Sequence, residues 1–118
     1  MRLAARLWIV LVALLPALAA DDWRSWFSRG IEAYQNARYQ EAVGSFQKTI
    51  SLSPSVVKPH LYLAMAWMYQ YVPGSASPEN ARNAEAEFQT VLQLDPQNFA
   101  AKQCLALLSA SRHKYINV

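Results

Sequence analysis

The sequence predicts an all-α fold, a solenoid of helix-turn-helix units, on two observations. Five successive apolar-rich stretches read as helices, the first of them with apolar residues at the three- and four-residue steps that line one side. The breaks between these stretches also repeat. Phe46 stands eight residues before Pro54 and Phe88 eight before Pro96, and an alanine, Ala42 or Ala84, lies four before each Phe. Recurrence of this kind is the mark of repeat proteins, in which each unit buries its apolar face against the next.

Residues 1–20 stand apart from that array. Arg2 and Arg6 precede an uncharged run from Leu7 to Ala20, which ends in Pro16 and the small residues Ala17, Ala19 and Ala20. This is the form of a secretory signal peptide, and the uncharged run is shorter than the ~20 residues that span a bilayer. Cleavage is expected near Ala19 or Ala20, placing the protein in the periplasm or outside the cell; an uncleaved membrane anchor is the alternative. The chain has 118 residues, 53% of them hydrophobic, with eleven Lys plus Arg against eight Asp plus Glu. Loss of Arg2 and Arg6 leaves a near-neutral chain without the interleaved basic and aromatic patch that nucleic acid requires. No stable membrane insertion is expected after cleavage.

The first helix is expected over Trp23 to Gln35, with Trp23, Trp26, Phe27, Ile31 and Tyr34 on one side. Asp21 and Asp22 stand where carboxylates accept from free backbone amides. After a turn at Asn36 and Ala37, a second helix is expected from Tyr39 to Leu52. Its buried side holds Ala42, Val43, Phe46 and Ile50, and Ser53 and Pro54 stop it, because a proline disfavours helical geometry in the residue before it. A third helix follows from Val57 to Tyr71, with Pro59 tolerated in its first turn. Its apolar residues run nearly all the way round, which calls for neighbours on more than one side. Ser77 and Pro78, as cap and first residue, begin a fourth helix to Leu94. Asn98 caps a fifth, from Phe99 to about Arg112.

With these residues in place, the chain resembles the tetratricopeptide repeat (TPR) family, whose unit is a helix pair of about 34 residues. Taking Pro54 as position 32 puts Trp26 at position 4, Gly30 at 8, Tyr39 at 17, Ala42 at 20 and Phe46 at 24. The first repeat then covers residues 21–56. Gly30 and Ala42 let the two helices approach, and Phe46 and Trp26 are expected to fill the remaining wedge. Arg29, Ala33 and Thr49 depart from the pattern. The second repeat, residues 57–98, has Leu63, Ala64 and Trp67 at positions 7, 8 and 11 and Ala84, Phe88 and Pro96 at 20, 24 and 32. It is longer than the family unit, with the excess placed in residues 70–83, where it lengthens the inter-helix turn and the start of the fourth helix, and His60 at position 4 departs. Residues 99–118 read as the first helix of an incomplete third repeat or as a capping helix.

The resemblance implies a protein-protein interaction module whose first helices line a concave groove. Carried over by position, the groove residues are Arg24, Phe27, Ile31 and Tyr34 from the first repeat, Lys58, Leu61, Met65, Met68 and Tyr69 from the second, and Gln103 from the third. The Lys and Asn with which some members clamp a peptide carboxylate are replaced here by Phe27 and Ile31, or Leu61 and Met65. The groove is therefore apolar, with adaptable methionines and amphipathic tyrosines suited to a segment with hydrophobic anchors. The alternatives are a structural subunit that homo-oligomerises through its last repeat, or a shortened piece of a longer array.

Catalysis lacks candidates. His60 and His113 have no metal-type spacing, the three glycines form no phosphate loop, and Glu85 and Glu87 are two apart on a helix and so diverge. No catalytic residue, metal or cofactor is expected. Cys104 is read as a small core residue, with an intermolecular disulfide as the alternative. Expression of the whole chain in a bacterial host, followed by N-terminal mass determination, should yield a species beginning at Ala20 or Asp21; an intact Met1 in the membrane fraction would establish the anchor instead.

Overall fold

The computed structural model describes residues 22–75 and 78–116, and the signal-peptide reading and the Asp21 and Ser77 caps lie outside these. All regular structure among them is helical, in five helices: α1 (Trp23–Gln35), α2 (Tyr39–Leu52), α3 (Val57–Gln70), α4 (Glu79–Leu94) and α5 (Phe99–Ile116). Each packs against the next, while α1 touches α3 and α3 touches α5 more lightly. This is the stacked, near-neighbour arrangement of a helical repeat array.

The helix ends follow local chemistry. Asp22 accepts from the backbone amides of Arg24 at 2.6 Å and Ser25 at 3.3 Å, satisfying donors that the first turn cannot pair. At the other end of α1, Ala37 takes a left-handed conformation (φ 58°). Its amide then bonds Tyr34 O at 3.0 Å and the Arg38 amide bonds Ala33 O at 2.9 Å, the paired closure of a Schellman turn. Asn98 caps α5 by accepting from Ala101 N at 3.0 Å.

Three boundaries differ from expectation. α3 ends at Gln70, one residue early, and the Tyr71 amide closes on Met68 O at 3.1 Å. Pro78 stands at the N-cap of α4, not at its first helical position, with no side-chain cap there. The α3–α4 connection thus ends at Pro78 and residues 79–83 are already helical, so part of the extra length of this unit prolongs α4. α5 runs to Ile116; no glycine or proline follows Arg112 to stop it.

Two apolar clusters fill the array. Ala33 of α1, Ala42, Val43 and Phe46 of α2, and Leu63 and Ala66 of α3 form the first. Ala64 of α3, Ala81, Ala84, Phe88 and Val91 of α4, and Ala101 and Leu108 of α5 form the second. Phe46 and Phe88 are both fully buried, at equivalent places in the two units. A methyl group at Gly30 would fall 2.6 Å from Phe46 Cδ1, so the missing side chain is the space the ring occupies. Trp26 does not share the wedge. The ring neighbours of Phe46 are Phe27 and Tyr62, each with centroids at 5.9 Å, while the Arg29 guanidinium covers Trp26 at 4.7 Å. Thr49 is fully buried and donates to Ser45 O at 2.8 Å, which removes the cost of its hydroxyl.

The contrast between two glycines tests the wedge by urea denaturation. Gly30→Ala should cost about 1–3 kcal/mol through overpacking. Gly44→Ala, on a helix face with nothing within 4 Å of the new methyl, should stabilise by about 0.5–1 kcal/mol. Phe46→Ala should cost about 3–5 kcal/mol by opening a cavity. A loss below about 1 kcal/mol would remove Phe46 from its assigned role.

Candidate functional site

The first-helix face is built by α1 and α3, which lie side by side. Seven-residue spacing on α3 places Tyr62 and Tyr69 on one side of that helix. Tyr34 of α1 meets both, with ring centroids 5.3 Å from Tyr62 and 6.1 Å from Tyr69, and it also meets Tyr39 at the start of α2 at 5.6 Å. Tyr39 in turn stacks on Tyr69 at 5.3 Å with an interplanar angle of 16°. The ladder continues from Tyr62 to Phe27 at 6.0 Å and on to Trp23 at 6.4 Å. Its edge-on contacts are the favourable geometry for aromatic pairs.

The groove residues expected from sequence divide into three groups. Phe27, Ile31 and Tyr34 pack against the first apolar cluster, and the Tyr34 hydroxyl points at Met65 Sδ across 4.0 Å. Burial, with smaller contributions from the neighbouring tyrosines, pushes the Tyr34 phenol well above its usual range, so it stays protonated at any physiological pH. Leu61, Met65 and Met68 pack against the second cluster and are half-buried. Tyr69 remains 57% exposed. Arg24, Lys58 and Gln103 are exposed, with the Arg24 guanidinium 4.7 Å over the Trp23 ring and 3.5 Å from Asp22. Phe27, Tyr34, Met65 and Tyr69 thus belong to one connected surface.

No protein-family model matches the chain, and no curated protein matches it. The site is therefore read from its own geometry.

Two residues that sequence reasoning passed over organise this region. Tyr39 and Tyr62 complete the ladder, and the Tyr62–Tyr69 spacing was the available signal. His60, a departure from the repeat pattern that also lacks metal-type spacing to His113, is buried and bonded at both ring nitrogens. Its Nε2 donates to Pro54 O at 2.7 Å, and its Nδ1 lies 2.7 Å from Glu87 Oε2. A carbonyl can only accept, so Nε2 carries a proton there, and Nδ1 faces the carboxylate. The loop after α2, helix α3 and helix α4 are joined through this one ring. Arg112 and Glu85 make a comparable link between α5 and α4 at 2.5 Å.

Among the described residues, no group of three or more His, Cys, Asp or Glu could hold a metal ion, and no helix is long and apolar enough to cross a membrane. Cys104 is half-buried against the second cluster, and burial raises its thiol, which disfavours the reactive thiolate.

Thermal or urea unfolding of two variants at one position measures the histidine link. Glu87→Ala leaves the Nδ1 side without a partner and should cost about 1.5–3 kcal/mol. Glu87→Gln can donate its amide to an unprotonated Nδ1 while Nε2 keeps Pro54, so its cost should be about 1 kcal/mol or less. Equal losses for the two would show that the contact contributes no hydrogen bond.

Proposed function

We propose that this protein is an exported, TPR-type interaction module that captures a protein segment with hydrophobic anchors on its first-helix face. The observation that carries this reading is the uncharged tyrosine and methionine surface of Tyr34, Tyr39, Tyr69, Met65 and Met68, presented by rigid helices with Tyr69 more than half exposed. Tyrosines of this kind offer large contact area at little entropic cost, and half-buried methionines adapt to irregular ligands. The TPR assignment is supported by two equivalent helix pairs, each with a small residue near its buried Phe: Gly30 lies against the Phe46 ring, and Ala64 shares a cluster with Phe88. Export is supported by the form of residues 1–20 alone. The protein acts by binding, with no catalytic or cofactor role, no metal and no nucleic acid.

A second reading has its own observation. Phe99 and Leu107 of α5 are 70% and 67% exposed, and an apolar helix face of that kind favours homo-oligomerisation. Sedimentation across a concentration series separates the two, since an assembly subunit associates without any added ligand.

Selection of a random peptide display library on the protein tests the module directly. Selected peptides should share apolar anchors, and their affinity should fall at least about tenfold in Tyr69→Ala, an exposed position at which loss of a hot-spot ring costs ~2 kcal/mol of binding. Peptides that bind Tyr69→Ala and Met65→Asp as well as the parent, with both variants folded by circular dichroism, would place the binding surface elsewhere.

A further inference from the structure

A cleft of about 260 Å³ opens between α2 and α4, lined by Gln47 and Ile50, by Leu63 and Trp67 of α3, and by Asn83, Ala86 and Glu87. No Cα atom of α2 lies within 8 Å of one in α4, so the two helices stand apart and α3 forms the floor. On α3, Leu63 and Trp67 lie roughly half a turn away from Leu61 and Met65, so this cleft is separate from the first-helix face.

We propose that the cleft binds the guanidinium group of an arginine side chain carried by a partner protein. Size comes first: the space is smaller than the roughly 300–1,000 Å³ of small-molecule sites and suits a single side chain. Its one charged lining residue is Glu87, flanked by the side-chain amides of Gln47 and Asn83 over an apolar floor that contains an indole. A cation is the ligand this set complements, and an anion is repelled by it. The carboxylate is held in place: His60, 5% exposed, engages Oε2 and leaves Oε1 as an acceptor. An incoming cation then completes an alternating series of cation, carboxylate and imidazole. Guanidinium fits better than ammonium, because its planar face packs on an aromatic ring while its edge donates to a carboxylate and an amide oxygen together. His60 is a positioning residue in this site and touches no ligand.

The probes are N-acetyl-arginine methylamide and its uncharged isostere N-acetyl-citrulline methylamide, titrated at millimolar concentration into the isotope-labelled protein. The readouts are the Trp67 indole and the Gln47 and Asn83 side-chain amide resonances. The arginine probe should give saturable shifts at these three residues that weaken with added salt, and citrulline should give none. Glu87→Gln should weaken the arginine probe about tenfold or more. Ala86→Lys places a competing charge on the exposed cleft wall without touching His60, and should abolish the shifts while the melting temperature holds. Equal responses to arginine and citrulline, or undiminished binding in Ala86→Lys, would overturn the proposal; an equal response to N-acetyl-lysine methylamide would overturn the choice of guanidinium.

Discussion

Everything else in this structure depends on α3 being buried from two sides. The helix supplies Leu63 and Ala66 to the cluster shared with α1 and α2, and Ala64 to the one shared with α4 and α5. Trp67 packs against both clusters, so the two are joined through a single side chain. A repeat array gains its stability from interfaces between neighbours. Here the interface between the two helix pairs passes through α3, and α2 and α4 stand apart on either side of it. Where they stay apart, a cleft remains over Leu63 and Trp67.

The same junction carries a polar clamp. His60 is 5% exposed and has both nitrogens bonded to acceptors in different segments. A buried ring in that position is costly unless satisfied on both sides, since an unpaired polar group forfeits its hydration without recompense. Satisfied, it fixes the loop after α2 against the middle of α4 more narrowly than apolar packing does, because hydrogen bonds are directional and methyl contacts are not. The aromatic ladder does related work at the other side of the molecule. Tyr34 is both core and surface: its ring is packed by Tyr39, Tyr62 and Tyr69, and its hydroxyl meets Met65. A surface so held loses little conformational entropy when a ligand docks on it.

Much of the candidate groove was legible from position along the helices. Three- and four-residue spacing put Phe27, Ile31 and Tyr34 on one side of α1, and the structure keeps them together. Spacing could not say how far each would sink. Leu61, Met65 and Met68 are drawn against the second cluster by α4 and α5, which fold back from later in the chain, whereas Tyr69 stays out near the C-terminal end of α3. Trp26 shows the same limit. Its spacing fits the wedge beside Phe46 as well as that of Phe27, and only the packed arrangement of α1, α2 and α3 gives the place to Phe27 and leaves Trp26 under Arg29.

The sequence by itself determined the five helices, most of their ends, and the pairing of a small residue with a buried Phe in each unit. These follow from backbone preferences and from volume, which act over a few residues or repeat at a fixed period. The tertiary structure decided the roles of His60, Tyr39, Tyr62 and Glu87. Each of these meets partners from another helix or loop, and a bond between His60 and Glu87 leaves no periodic trace in the chain because the two residues are brought together only when α3 and α4 pack. Local chemistry fixed the elements; the close approach of α3 to its neighbours fixed which polar side chains could meet.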